Sequence, residues 1–289
     1  MLGYEKGQVI GHGSFSRVHT AIHQSTGQKV ALKKIRCTQG INPTALRELK
    51  LLREMDGCSP YVIRLLDAFL HKHKIILVLE LMACDVQQFI ASMACLPRHP
   101  CSGLPPDVTK ALMRQLLEGL ASIHAHGIVH RDIKSDNLLL CGKQGCLKIA
   151  DFGLARSMVV SLVCCCCALL LQVCARWYRS PELLFGACNY DAGVDVWAAG
   201  CVFAEMLLGR VWLPGMSDMG QLTLIYAALG APSEDTWPGV SQLKTYVPGN
   251  VQSLFPGVAP DALDLLQHLV RLNPADRITA QSALGEDCG

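Results

Sequence analysis

The stretch His130-Arg131-Asp132-Ile133-Lys134-Ser135-Asp136-Asn137, followed nineteen residues after Asp132 by Asp151-Phe152-Gly153, constrains this chain more than any other feature. Moving a phosphoryl group onto a hydroxyl needs a carboxylate to accept the hydroxyl proton and a lysine near the transferring group. It also needs two oxygen ligands for Mg²⁺. Asp132, Lys134, Asn137 and Asp151 supply that set in order, and Lys134, two residues from Asp132, shares its side of an extended loop. Unrelated polar loop residues rarely reproduce the whole combination.

A second pattern lies near the N-terminus. Gly11-His12-Gly13-Ser14-Phe15-Ser16-Arg17-Val18 alone is weak evidence, because a glycine pair also opens dinucleotide-binding folds. In those folds the glycines lead into a helix, whereas here Arg17 to Ala21 and Lys29 to Ile35 read as a hairpin turning at residues 25–28. A glycine loop between two strands is a flap over phosphates. Ser16 stands where a third glycine would, small enough for close approach at some loss of flexibility. With no second Rossmann half following, a dinucleotide-dependent oxidoreductase is excluded. Val30-Ala31-Leu32-Lys33 follows, and Glu48, on a helical stretch from Pro43 to Met55, is a candidate partner for the Lys33 ammonium. Taken alone, Glu48 reads as a surface charge.

The 289 residues suffice for one two-lobed domain. Residues 4–82 read as a small β-rich lobe and 83–289 as a larger helical lobe, an α+β fold. Helices are expected over Pro106 to His126, with Val108, Ala111, Leu112, Gln115, Leu116, Gly119, Leu120 and Ile123 on the apolar stripe, and from Ala192 and Ala262. The proline-rich tract from Met93 to Pro106 reads as an inserted loop. Lys+Arg 26 against Asp+Glu 24, with no basic run, excludes nucleic acid or an anionic membrane as the expected main partner. The N-terminus lacks an export signal, so an intracellular location, nucleus or cytoplasm, is expected. The 15 cysteines, with no repeated Cys-x-x-Cys pair, then read as free thiols, many of them small core residues. His71 and His73 would point the same way on a strand, and they read as surface polar residues rather than metal ligands.

With these motifs the chain resembles the cyclin-dependent kinases from Tyr4 to about Leu284, most of all those that activate other cyclin-dependent kinases and the cell-cycle-related kinase. The resemblance rests on the motifs above, on Pro43-Thr44-Ala45-Leu46-Arg47-Glu48, which is similar to a cyclin-contacting helix, and on Trp177-Tyr178-Arg179, similar to a proline-directed substrate pocket. Leu229-Gly230-Ala231-Pro232-Ser233-Glu234-Asp235-Thr236-Trp237-Pro238 is similar to an insert of the wider group. The resemblance implies a proline-directed Ser/Thr protein kinase in cell-cycle or transcription-linked phosphorylation, with ATP and Mg²⁺, a protein substrate and a cyclin-like subunit. It implies catalytic roles for Asp132, Lys134, Lys33 and Glu48, and metal ligands Asn137 and Asp151. Its nucleotide site would comprise Ile10, Gly11, His12, Gly13, Ser14, Phe15, Ser16, Val18, Ala31, Lys33, Glu80, Met82, Asp85, Asn137 and Leu139, with Leu79 as gatekeeper. Ser180-Pro181-Glu182 is similar to the end of a kinase activation segment, and Arg277 is the expected buried partner of Glu182.

The pattern breaks between Gly153 and Arg176. That stretch carries no Thr, and Met158 to Ala175 is free of charge. The family's activating Thr falls at Leu170, and a second Thr, which supports the catalytic Asp, falls at Ala175. Yet Arg47, Arg131 and Arg156, similar to the three arginines that grip the activating phosphate, are present. A transmembrane span is excluded because Asp151 and Glu182 would lie on opposite sides of roughly 30 Å of hydrocarbon. Three readings stay open: a buried or aggregation-prone apolar loop, a loop palmitoylated at Cys164 to Cys167, or translated noncoding sequence. The chain's end soon after Leu284, inside an expected closing helix, accords with the third. Beside an active kinase stands an alternative, an ATP- or cyclin-binding pseudokinase-like regulator.

Overall fold

The computed structural model describes residues 3–13, 16–37, 42–94, 103–142, 145–158, 175–187, 189–234, 237 and 251–285. Five antiparallel strands open the chain: β1 (Tyr4–His12), β2 (Ser16–His23), β3 (Lys29–Arg36), β4 (Leu65–His71) and β5 (Lys74–Glu80), in the order β1-β2-β3-β5-β4. The run Ile75-Ile76-Leu77-Val78-Leu79 is buried throughout, as befits a central strand covered on both faces. Alternation sorts the sheet's side chains. Ala21, Val30, Leu32, Ile76 and Val78 form a small outer cluster, while Ala31, Ile35, Ile75, Leu77 and Leu79 join the main core with helix α1 (Pro43–Glu54). Asn42 caps α1, its side chain accepting from the N–H groups of Thr44 and Ala45 at 3.0 and 3.4 Å.

The second lobe begins with β6 (Cys84–Asp85) and α2 (Val86–Ala94), then α3 (Pro106–Ala125) and β7 (Ile128–Val129). Next come β8 (Leu138–Leu140), β9 (Leu147–Ile149) and β10 (Arg156–Ser157), which form small sheets β6-β8-β9 and β10-β7. Helices α4 (Pro181–Leu184), α5 (Gly193–Leu208), α6 (Asp218–Leu229), α7 (Val251–Leu254), α8 (Pro260–Leu269) and α9 (Ala280–Gly285) complete the two-lobed architecture. Helix α5 is apolar nearly all round and almost wholly buried, so it is the axis on which this lobe packs. At Gly200 a Cβ would run into Val270 and Leu269, so a side chain there would hold α8 off. Main-chain bonds from Ile63 N–H to Ile149 O and from Ile149 N–H to Tyr61 O, 2.9 and 2.8 Å, tie the lobes together behind the cleft.

Several expectations need correction. His71 ends β4, whereas His73 sits in the β4–β5 turn at φ 57°, so the two share no strand. On α3 Ala111 is exposed, while Met113 and Leu117, outside the expected stripe, are buried with the core on a wider apolar face. Of the six described cysteines, all free, only Cys201 is fully buried. Among the described residues no helix is long and apolar enough to cross a membrane.

Candidate active site

Strand alternation turns Lys33 toward α1 and the cleft, where its ammonium lies 2.7 and 2.9 Å from the two carboxylate oxygens of Glu48 and 2.8 Å from Asp151 Oδ1. Glu48 is 2% exposed, so it is no surface charge. Burial opposes a charge on Lys33, but the two carboxylates outweigh it and hold the ammonium protonated. Burial, with the nearby Asp151 charge, pushes the Glu48 carboxyl up. Its bidentate contact with a lysine that stays charged keeps it ionised. At Asp151 burial likewise opposes ionisation, yet Lys33 and the Gly153 N–H hold it below the usual carboxylate range.

Asp132 and Asn137 meet on the loop between β7 and β8. Asn137 Nδ2 donates to Asp132 O at 2.8 Å and Oδ2 at 2.9 Å, and Lys134 Nζ stands 3.1 Å from the same Oδ2. Asp132 Oδ1 is buried with no hydrogen-bond partner among the described residues. A buried carboxyl oxygen without a partner is placed to receive a donor that arrives with substrate. Commitment of the Asn137 amide nitrogen leaves its oxygen, with the Asp151 carboxylate, as a hard donor set fitting Mg²⁺. The hairpin β8–β9 holds these two donors side by side, since Ala150 N–H donates to Asn137 O at 2.9 Å.

Two side chains missed in the sequence hold this loop. Asp195 accepts the backbone N–H groups of His130 and Arg131 at 2.8 and 2.7 Å, and His124 Nε2 lies 3.0 Å away. Burial opposes its charge, but these donors prevail and hold its carboxyl low. Glu205 accepts from Tyr178 OH at 2.7 Å and Ser135 Oγ at 3.1 Å, which fastens the segment after Ala175 beneath the Asp132 loop. Their signal was present: Asp195 and Glu205 are the only charged residues in the otherwise apolar run of α5.

Around the nucleotide cleft, Ala31 and Leu79 are buried, Val18, Met82 and Leu139 half-buried, and Ile10 49% exposed at the cleft mouth. Gly11 faces Val18 across β1 and β2, with His12 opposite Arg17. At Gly13 a Cβ would sit 2.7 Å from Ser16 Oγ, so this turn of the flap leaves little room for one. Ser14 and Phe15 lie outside the described residues. Glu80 accepts the Arg64 N–H at 2.7 Å and pairs with Lys148 at 2.7 Å. Asp85 accepts the Gln88 N–H at 2.7 Å, and burial raises its pKa.

Arg47 donates to Gly153 O at 3.3 Å, and Arg131 to Tyr190 OH at 2.6 Å. Burial, then the charges of Arg156 and Arg131, lower the Arg47 pKa, so the three guanidinium groups feel one another. None of the three forms an ion pair among the described residues. Glu182 and Arg277 are joined by two hydrogen bonds of 2.7 and 3.1 Å, both side chains buried.

The model of the protein kinase domain matches residues 4–287. Cyclin-dependent kinase D-1 of Arabidopsis thaliana is 44% identical over 97% of this chain and 69% of its own length. Cyclin-dependent kinase 7 of Xenopus laevis is 44% identical over 97% of this chain and 79% of its own length. Cell division control protein 2 homolog C of Antirrhinum majus is 41% identical over 97% and 95%. The chain belongs to the cyclin-dependent protein kinases. It is therefore a serine/threonine kinase domain, of a family that uses ATP with Mg²⁺ and acts on proteins. In this kinase the charge-free segment and Leu170 lie outside the described residues, except for Met158 and Ala175. Ala175 lines a small recess with Arg131, Asp132, Tyr178, Arg179 and Val194. The expected substrate pocket is braced by Trp177 Nε1 donating to Gly215 O at 3.2 Å and by Arg176 and Arg179, 2.8 and 3.2 Å from Asp218 Oδ1.

Proposed function

We propose that this kinase transfers the γ-phosphoryl group of Mg·ATP to a Ser or Thr followed by Pro in proteins of the cell-cycle or transcription machinery, in the nucleus or cytoplasm, with a cyclin-like subunit against α1. The observation that carries this reading is the joining of Glu48, Lys33 and Asp151 by contacts of 2.7–2.9 Å while Asp132 Oδ1 stays open. When bound, Mg²⁺ neutralises charge on the phosphates, with Asn137 and Asp151 as its protein ligands. Lys33 orients the α- and β-phosphates, and Ile10, Val18, Ala31 and Leu139 enclose the adenine. Asp132 accepts the proton of the substrate hydroxyl as its oxygen bonds to the γ-phosphorus and the bond to the β-phosphate oxygen breaks. Lys134 offsets charge beside it.

The test is phosphotransfer to Ser-Pro and Thr-Pro peptides, with Ser-Ala and Thr-Ala controls, by the wild type and Asp132→Asn. The variant should lose two or more orders of magnitude in kcat, within the range expected of a positioned acid–base group. Equal incorporation by both proteins rejects the reading. A second reading, a pseudokinase-like protein that holds ATP or a cyclin without turnover, is favoured by Ala175 beside Asp132, where no hydroxyl can brace the carboxylate. Tight Mg·ATP binding without incorporation by the wild type selects it.

A further inference from the structure

The face of the five-stranded sheet turned away from the nucleotide cleft collects cations although the whole chain is nearly neutral, Lys+Arg 26 against Asp+Glu 24. Register fixes which residues share it. Arg17 on β2 stands between His12 of β1 and Lys34 of β3, and one row further Arg36 of β3 stands opposite Lys74 of β5. Lys6 joins from β1, in register with the outer-cluster residue Ala21. Because Lys34 is adjacent to Lys33 on one strand, the two point to opposite faces, so this surface and the nucleotide cleft are separated by the sheet.

The cations feel one another. After burial, the influences on Lys34 are the charges of Lys6 and Lys74, and all of them lower its pKa. His19, 4% exposed in the middle of the same face, is held low first by burial and then by Lys34, Lys6, Arg17 and His12. Its Nδ1 has no hydrogen-bond partner among the described residues. Among the described residues, no carboxylate is among the influences on either group. Asp67, on the same face at β4, is engaged by Tyr4 OH at 3.4 Å, Glu80, opposite the outer-cluster residue Val30, is paired with Lys148 at 2.7 Å, and Glu5 points to the other side by alternation. Like charges left together without a counter-ion cost stability that an anionic partner removes.

We propose that this face docks an extended acidic peptide segment, rich in Asp and Glu, of a partner protein. Lys6 lies level with Val30 and Lys74 with Arg36, six residues apart along β3, so the cations spread about 20 Å along the strands and about 14 Å across them, which an extended segment of about seven residues at about 3.3 Å each would span. Carboxylates along such a segment meet Lys6, Arg17, Lys34 and Lys74 in turn. The aromatic rings on this face, Tyr4 and Phe69, stack on each other at 5.9 Å and pack on the outer cluster, and the apolar side chains among the cations, apart from Val9, lie within or against that cluster. The surface works whether or not the kinase turns over.

The experiment is fluorescence anisotropy with a labelled eight-residue Asp/Glu peptide, its Asn/Gln counterpart, an RNA oligonucleotide of matching length and phosphatidylserine vesicles, on the full chain in 50 mM salt. The acidic peptide should bind and its neutral counterpart should not. Lys34→Gln with Lys74→Gln should weaken binding at least fivefold, and 300 mM salt at least tenfold, as the screening length shrinks. Saturating Mg·ATP should leave the affinity unchanged. Should that pair fail to fold, as judged by thermal unfolding, Arg17→Gln with Lys74→Gln, both fully surface residues, is expected to give the same loss. No peptide binding, equal binding by wild type and folded variant, competition by Mg·ATP, or tighter binding of RNA or vesicles than of peptide would each overturn the proposal.

Discussion

Arg277→Leu isolates the energetics of the larger lobe. The guanidinium is fully enclosed and donates to Glu182 Oε1 and Oε2 at 2.7 and 3.1 Å, to Gly193 O at 2.8 Å and to Arg271 O at 3.1 and 3.0 Å. It also lies 5.2 Å from the Trp197 ring centroid. Leucine fills part of the volume but strands the Glu182 carboxylate, 5% exposed, with no counter-charge. Breaking a buried pair from one side costs about 3–5 kcal/mol. With each kcal/mol worth about 2–4 °C in a domain approaching this size, Tm should fall by roughly 6–20 °C. Circular dichroism melts of wild type, Arg277→Leu, Glu182→Leu and the double variant measure this. The double variant removes the stranded charge, so its loss should be well below the sum of the single losses. A shift under about 2 °C for Arg277→Leu, or strict additivity, would refute the assignment of this pair as the lobe's buried tie.

Glu48→Gln keeps shape but removes the charge that fixes Lys33, leaving Asp151 at 2.8 Å as its remaining anionic contact among the described residues. We expect kcat to fall on the order of 10²-fold, about 2.7 kcal/mol of transition-state stabilisation, with ATP affinity within a few fold; unchanged kcat would count against the role. Asp195→Asn addresses acid stability. Since the folded carboxyl is held below its unfolded value of about 3.9, its contribution is complete above that pH and is lost as pH falls through the folded pKa. Urea midpoints of wild type and variant should therefore differ at pH 7 and converge below about pH 4; a constant gap would show that ionisation is irrelevant. Ala175→Thr places a hydroxyl in the recess that Ala175 lines with Asp132, where it can brace the Asp132 carboxylate through Oδ2 and leave Oδ1 to the substrate hydroxyl. A hydrogen bond to a charged group contributes about 1.5–3 kcal/mol, so kcat/KM should rise at least tenfold, and steady-state kinetics that show no rise would remove Ala175 as the weak point.

Much of the site was legible because its chemistry demands fixed residue types at fixed separations: the spacing of Asp132, Lys134, Asn137 and Asp151 follows from one loop and one hairpin. The lobes were legible in periodicity, and the long helix Pro106–Ala125 was read to within a residue at its end. What escaped depends on tertiary contact. Strand β4, whose register shifts between Leu65 and Asp67, has no clean alternation to read. Arg131 and Asp151 adopt φ of 68 and 65°, conformations that only the surrounding bonds impose on non-glycine residues. Asp195 and Glu205 announced themselves only as charges in an apolar helix, and their partners, 64 and 70 residues distant in the chain, needed coordinates to be found.

Residue 170 carries no hydroxyl for a phosphate, so nothing at that position can neutralise Arg47, Arg131 and Arg156. Helix α1 nonetheless stands in the position that closes Lys33 onto Glu48. Its hold on the Phe152–Leu154 turn comes instead from Arg47 donating to Gly153 O at 3.3 Å and from close packing of Thr44 on Gly153, where an added Cβ would lie 3.2 Å from Thr44 Cγ2. A neutral carbonyl satisfies one N–H of a guanidinium and none of its charge, so two neighbouring arginines still repel Arg47 across this contact. The site-facing side of α1 is thus held at Glu48 by charge complementarity and at Arg47 by packing and a carbonyl contact against like charge. A subunit that binds the exposed Leu46 edge of α1 would stabilise the same position without any phosphate.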